Sequence, residues 1–209
     1  ESLNEGVYLR DNAIWLNNAM GNREVLPLDM IRIPGVHNVE NYMAAISAVM
    51  GYVSAEGMRE VARTFGGVRH RIELVTEKAG VRYYNSSIDS SPTRSLAALA
   101  SFDEPLIVIA GGYDKHIPLE PMIPTLAAKA KFIVLTGQTG VMLLSLLLEY
   151  GYLRGNIAYI GDFDAAVRYA ASVAKEGDTV LLSPAAASFD AFKNFEARGD
   201  RFCELVRQL

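Results

Sequence analysis

The 209-residue sequence predicts an α/β fold: a doubly wound, mostly parallel sheet preceded by the incomplete end of another α/β domain. Three observations predict it. From Ile72 onward, short β runs alternate with longer helical segments. The central runs, such as Leu106–Ala110, are apolar almost without interruption, as strands covered on both faces are. The composition, 50% hydrophobic and 21% charged, is rich enough to bury a core and excludes a disordered or collagen-like chain.

Taken in order, Val7–Leu9 and Ala13–Trp15 flank Asp11-Asn12, a pair suited to a tight hairpin turn. Asn17, Asn18, Gly21 and Asn22 punctuate the next stretch, and Pro34-Gly35 stops an expected strand at Met30–Ile33. Asn38 is placed to cap a helix whose apolar positions Met43, Ile46, Val49 and Met50 recur at helical spacing. A second helix, about Ser54–Thr64, opens on Ser54-Ala55-Glu56-Gly57, a capping pattern that Gly57 leaves incomplete. Gly66-Gly67 ends it. Beyond lie β runs at Ile72–Glu77, Val81–Tyr84, Leu106–Ala110, Phe132–Thr136, Ala158–Ile160 and Thr179–Leu182. Helices are expected at about Pro92–Ser101, Leu119–Ala130, Gly140–Tyr150, Phe163–Lys175 and Ser188–Gln208. The boundary falls near Gly66–Arg71, giving domains 1–70 and 71–209. Two helices and a few hairpin strands bury little surface alone, so the first part is expected to be the tail of a larger domain.

The formal net charge is −4, from 20 basic and 24 acidic side chains, spread evenly over both parts. That leaves no electrostatic footprint for nucleic acid. The single cysteine, Cys203, cannot form an internal disulfide, and no Cys/His spacing suggests zinc. The longest apolar runs fall short of the ~20 residues a membrane span needs, so no membrane partner and a reduced, cytoplasmic setting are expected. The chain opens on Glu1 rather than Met and is expected to be a piece of a longer one.

In an open parallel sheet, ligands bind at the carboxyl ends of the strands. Three loops there carry unusual polar content: Asn85-Ser86-Ser87-Ile88-Asp89-Ser90-Ser91-Pro92, Gly111-Gly112-Tyr113-Asp114-Lys115-His116 and Ser183-Pro184-Ala185-Ala186-Ala187-Ser188. Helix amide groups and the Lys115 ammonium together suit a carboxylate or phosphate. For each loop alone, the plain account stays open: Asn and Ser cap helices, and Gly111-Gly112 permits a turn. Leu135-Thr136-Gly137-Gln138-Thr139-Gly140 lacks both the G-x-G-x-x-G spacing and the lysine of a phosphate loop, and reads as a strand-to-helix turn. His37 and His70 read as structural hydrogen-bonding residues. Phe189, Phe192 and Phe195 fall at helical spacing as core positions, with Phe195 edging a pocket, and Glu196–Arg207 reads as a solvated charged face.

The run Ser183–Gly199, with its Asp190-Ala191-Phe192-Lys193-Asn194-Phe195 portion and Arg198-Gly199, closely resembles the C-terminal signature of the Mur ligases, in particular the branch that adds D-glutamate. Other landmarks follow in the family's order. Pro34–Asn41 is similar to its H-N-x-x-N helix start and His70-Arg71-Ile72-Glu73 to its H-R-x-E linker. Tyr84-Asn85 with the serine-rich loop, then Gly111–Lys115, complete the set. The resemblance covers nearly the whole chain. It implies the end of a central ATPase domain at 1–70 and a Rossmann-like amino-acid-binding domain at 71–209.

The implied activity is ATP-dependent amide formation, with ATP and Mg²⁺ used by the full-length enzyme and neither held tightly by this piece alone. The implied substrates are D-glutamate and UDP-N-acetylmuramoyl-L-alanine, joined through an acyl phosphate in peptidoglycan precursor synthesis. By the resemblance, Asn38 and Asn41 match the helix start on the adenine side of ATP, and Arg71 matches the linker arginine that reaches the nucleotide. Lys115 matches the lysine paired with one carboxylate of D-glutamate; Ser188 and Phe195 match the hydroxyl and backbone that hold the other. The family loop commonly runs Asn-Asp-Ser-Lys-Ala-Thr-Asn. Here Ser86 and Ile88 replace its Asp and Lys, Ser90 keeps the hydroxyl of its Thr, and Asp89 is a candidate for the lost carboxylate near ribose or metal. No catalytic residue is implied in this piece. Two rival readings are a sister Mur ligase for another amino acid and a free-standing Rossmann-like module, the latter disfavoured by the lack of G-x-G-x-x-G after the first parallel strand. A third is an interaction domain, which would leave Lys115 and Ser188 without a shared cleft.

Overall fold

A computed structural model describes residues 5–33 and 35–209; Pro34 and the side chain of His37, and hence the readings placed on them, lie outside the described residues. The chain divides into two compact units, Glu1–Gly67 and Val68–Leu209.

The first unit is a three-stranded antiparallel sheet, β1 (Gly6–Arg10), β2 (Ala13–Asn18) and β3 (Gly21–Pro27), with helices α1 (Val36–Val49) and α2 (Ala55–Thr64). Asp11 and Asn12 both adopt left-handed backbone, φ 49° and 57°, the pairing that matches the twist of a two-residue hairpin. The alternation of β2 turns Ile14 and Leu16 inward, and a register shift opposite Ile14/Trp15 lets the adjacent Val25 and Leu26 of β3 both face in, where Ile46 of α1 and Met58 and Ala62 of α2 cover them. Ser54 caps α2, its side chain accepting from the Gly57 amide at 3.2 Å.

Two expectations fail here. Met30–Ile33 is no strand: Leu28–Met30 form a single 3-10 turn after Pro27, and the Arg32 amide donates to Ala62 O of α2 instead of to a sheet. The third strand is β3, whose polar start, Gly21 to Glu24, hides its period. Asn38 does not cap α1 either. Gly35, at φ 101°, stands at the cap, and Asn38 lies inside the first turn, its amide donating to Gly35 O.

The second unit holds β4 (Glu73–Lys78), β5 (Val81–Asn85), α3 (Pro92–Leu99), β6 (Leu106–Gly111), α4 (Ile123–Lys129), β7 (Ala130–Thr136), α5 (Gly137–Glu149), β8 (Ile157–Tyr159), α6 (Phe163–Val173), β9 (Thr179–Leu182) and α7 (Phe195–Gln208). The six strands run in the order β4-β5-β9-β6-β7-β8, with β4 antiparallel to β5 and all other pairs parallel. Both faces of the central strands are apolar, as the uninterrupted runs require. Leu106, Val108, Ala110, Ile133, Leu135 and Leu181 pack beneath α3, α4 and α5. Ile107, Ile109, Val134, Val180 and Leu182 pack beneath α6 and α7. The chain advances across one face, then returns on the other to insert β9 between β5 and β6. Helices leaving β5 and β6 therefore cover the face opposite to the one that follows β9. Such a reversal opens a crevice at the carboxyl ends of those three strands.

The last helix is shorter than expected. It begins at Phe195, capped by Asn194, whose Oδ1 accepts from the Ala197 amide at 2.9 Å. Residues 183–194 form no helix because other strand ends claim their backbone. Gly111 N donates to Pro184 O at 2.8 Å and Tyr113 N to Ala187 O at 2.9 Å, the latter forming an isolated bridge.

Candidate functional site at the carboxyl rim

The three loops identified by composition meet at this crevice, and each is fixed by buried polar groups. After β5, Asn85 is fully buried. Its Nδ2 lies 2.9 Å from His70 Nδ1 and 3.3 Å from Gly199 O, and its Oδ1 accepts from the Ser87 amide at 3.1 Å. His70 is accordingly a structural residue: its amide donates to Glu73 Oε2 at 2.8 Å, and its ring meets Phe195 edge-on at 6.1 Å. Gly199 lies so close to that ring that a Cβ there would overlap it. The linker is strained, since His70 and β-branched Ile72 hold φ values of 64° and 47°.

Further along the same loop, Asp89 is 5% exposed and its Oδ2 accepts from Ser183 Oγ at 2.9 Å. Ser183 Oγ also lies 2.8 Å from Ser95 Oγ, so its one proton serves Asp89 while Ser95 donates to it. Burial pushes the Asp89 carboxyl up to about 6, against the pull of hydrogen bonds from Ser86 and Ser183 and the charges of Arg94 and Arg71. Arg71 itself is exposed. Ser90 is half-buried, its amide donating to Ile88 O at 2.7 Å.

After β6, Gly112 holds φ 154°, and a Cβ there would overlap Ala187 O. That close approach lets Tyr113 bridge to Ala187 and carries Lys115, exposed and in no ion pair among the described residues, onto the same rim. The rings of Tyr113 and Phe189 meet edge-on at 6.0 Å. Phe189 is 63% exposed, which corrects its reading as core: with no helix through 188–194, its side chain stands on the rim. Phe192 alone of the three packs into the core, against Phe163 at 5.0 Å.

Ser188 follows Ala187. Its expected position at a helix start is wrong, yet it is only 2% exposed and its Oγ has no hydrogen-bond partner among the described residues. A buried hydroxyl without a partner costs about 1–3 kcal/mol unless something else satisfies it. Phe195 opens α7, its carbonyl accepting from Ser87 Oγ at 2.8 Å.

Arg198 is the group that the sequence reading missed. Three residues into α7 it is 2% exposed, not part of a solvated face, and burial lowers its pKa to about 10. Its signal in the sequence was an arginine beside Gly199, where the helix has to pass close to the linker.

Asn38 and Asn41 belong to the first unit and Arg71 and Asp89 to the second. Asn41 Nδ2 donates to Asn38 Oδ1 at 3.3 Å, linking the first two turns of α1. Amides there suit the donor and acceptor edge of a base. Among the described residues no group of three carboxylate, imidazole or thiol side chains is arranged to hold a metal ion. No helix among them is long and apolar enough to cross a membrane.

The carboxyl rim of this parallel-sheet domain thus carries an exposed lysine, a buried hydroxyl without a hydrogen-bond partner among the described residues, and several serines. Comparison with known proteins gives its relatives. The family described as "Mur ligase, glutamate ligase domain" matches residues 70–186, and the chain belongs to the Mur ligase family. It is 46% identical over 208 residues to the UDP-N-acetylmuramoylalanine–D-glutamate ligase of Clostridium perfringens, covering 98% of this chain and 44% of that protein. It is 46% identical over 212 residues to the ligase of the same name from Acetivibrio thermocellus, covering 99% and 46%. The chain thus spans about half the length of the curated relatives it matches. Among solved structures, E. coli FolC in complex with ADP overlays with a TM-score of 0.63 at 20% identity, covering 97% of this chain and 46% of that one. Mycobacterium tuberculosis folylpolyglutamate synthase complexed with ADP gives 0.65 at 12%, covering 95% and 46%. These two likenesses concern the fold.

Proposed function

We propose that this chain is the amino-acid-binding end of an ATP-dependent ligase that joins D-glutamate to UDP-N-acetylmuramoyl-L-alanine in peptidoglycan precursor synthesis. The observation that carries the reading is that the Tyr113–Ala187 bridge joins the loops after β6 and β9 while Ser183 ties the latter to Asp89 in the loop after β5, with Lys115 exposed two residues beyond the bridge and the Ser188 hydroxyl buried without a partner among the described residues. A diacid needs two separate anion sites. Lys115 would pair with one carboxylate, and the Ser188 hydroxyl with the start of α7 at Phe195 would take the other, with Ser90 beside them. The names of the two curated relatives point the same way.

ATP would phosphorylate the carboxylate of the nucleotide-sugar substrate, and the amine of D-glutamate would attack the acyl phosphate and expel inorganic phosphate. The task of this chain is orientation: gripping both carboxylates aims the amine and converts a bimolecular encounter into a bound near-attack geometry. Asn38 and Asn41 would meet the adenine side of ATP, and Arg71 would reach the nucleotide. Asp89 is proposed as the carboxylate next to Arg71, although its bonds to Ser183 and Ser86 turn it inward. We assign Mg²⁺ to no residue of this chain and derive no step through it. The sequence carries no G-x-x-x-x-G-K-[ST], so catalysis would need a phosphate loop supplied from a preceding part of the enzyme, in the cytoplasm where ATP and the precursors are made.

The test is ADP release by the full-length ligase with UDP-N-acetylmuramoyl-L-alanine present and each candidate amino acid in turn. The reading expects release with D-glutamate alone, and none from the 209-residue chain by itself. Equal release with L-lysine or meso-diaminopimelate, or substrate-dependent release by the 209-residue chain, would overturn it.

A further inference from the structure

We infer that Arg198 sets the spacing of all the D-glutamate ligands, acting as a positioning residue beneath them without touching substrate; the inference rests on the D-glutamate reading above. Four hydrogen bonds define its role. Nε donates to Ser87 Oγ at 3.0 Å and Nη2 to Ser87 O at 2.9 Å, holding the loop that carries Ser90. Nη2 also donates to Ala186 O at 3.0 Å and Nη1 to Ala187 O at 3.0 Å, holding the loop that carries Ser188. Ala187 O accepts from the Tyr113 amide as well, so the same carbonyl brings in the loop that carries Lys115. Ser87 Oγ then donates to Phe195 O, closing the circuit on the helix from which Arg198 springs. Every group proposed to touch D-glutamate is therefore within a few residues of an atom bonded to this guanidinium or to its immediate partner.

The energetics argue that this is more than packing. Among the described residues no carboxylate lies within ion-pair distance of Arg198, so its direct partners are carbonyls and one hydroxyl, and Asp190 and Asp89 act on the buried charge only from beyond that distance. An apolar side chain of similar volume would fill the space at less cost in desolvation. What it could not do is span two loops with a planar fork of fixed geometry. Lysine could not either: its ammonium is a point donor, unable to reach Ser87 and the Ala186–Ala187 carbonyls with the same separation. Arg198→Lys keeps the charge and most of the volume and removes the fork's spacing together with at least one of its four hydrogen bonds.

The experiment is steady-state kinetics of the full-length ligase, with KM measured separately for D-glutamate, ATP and UDP-N-acetylmuramoyl-L-alanine, alongside thermal unfolding. Arg198→Lys is expected to raise KM for D-glutamate by ~tenfold or more, to leave the other two KM values alone, and to retain most of kcat at saturating D-glutamate. Ser87→Ala, which removes one acceptor of the fork and no proposed ligand, is expected to move the same KM in the same direction by less, and it decides the matter if Arg198→Lys does not fold. An unchanged KM for D-glutamate in these variants overturns the inference, whatever happens to the melting temperature. So does a rise shared equally by all three substrates, which is general loosening. A wild-type enzyme that does not depend on D-glutamate would instead retire the substrate reading itself.

Discussion

Asp89 shows how a single side chain on this rim couples burial to proton binding. Its carboxyl stands at about 6, against an ordinary 3.8, because the loop between β5 and α3 folds it away from water. The folded state therefore holds its proton more tightly than the unfolded chain does. The sign follows: the contribution to stability is fully present below about pH 4 and is lost as pH rises through about 6. Asp89→Asn keeps an oxygen to accept from Ser183 and cannot ionise. We expect the variant to gain over wild type as pH rises from 4 to 7, by on the order of 3 kcal/mol at most. Urea unfolding at pH 4, 5.5 and 7 checks it. A difference between the two proteins that stays flat with pH would show that the buried carboxyl does not titrate in this range.

At the scale of elements, the rim depends on where α7 starts. Asn194 caps the helix and so decides that Phe195 and Arg198 point back under the loops. Asn194→Ala should cost about 1 kcal/mol of stability, read as a lowered urea midpoint with unchanged slope. A wild-type midpoint would mean that packing alone fixes the start. The same region shows what was legible in the sequence and what was not. β9 was expected at Thr179–Leu182 and is found there, because a β-branched threonine and three apolar residues between polar turns leave one choice. The Asp11-Asn12 turn and the Ser54 cap were readable because their causes are local. The run Ser188–Asn194 carries a helix-compatible spacing of phenylalanines, yet the Tyr113–Ala187 bridge holds it in another path. That bridge joins residues 74 apart in sequence, and no local pattern announces it. Met30–Ile33 failed for a related reason, since the Arg32 amide finds its acceptor on α2. Arg198 was hidden by composition: in a stretch of alternating charges nothing marks the one that is buried.

At the scale of the whole molecule, strand order does the work. Inserting β9 between β5 and β6 brings together three loops that are far apart in the chain and exposes them at one sheet edge. We propose that this rim presents a small anion to a reaction centred elsewhere in the enzyme, a reading in keeping with membership of the Mur ligase family. The sequence had placed Lys115 and Ser90 on loops of that edge, with Ser188 at the start of the last helix and Phe195 within it, but only the folded chain shows the orphan hydroxyl and the buried guanidinium. The central claim is that an exposed ammonium and a buried hydroxyl grip one diacid together. The measurement that meets it most directly is an NMR titration of the 209-residue chain with D-glutamate, following the Lys115 side chain and the backbone amides of Ser90, Ser188 and Phe195. The account predicts that all four respond along one binding curve, and that L-glutamate at the same concentrations does not reproduce it. Movement of Lys115 alone, shared by any added anion, with Ser188 and Phe195 silent, would contradict it.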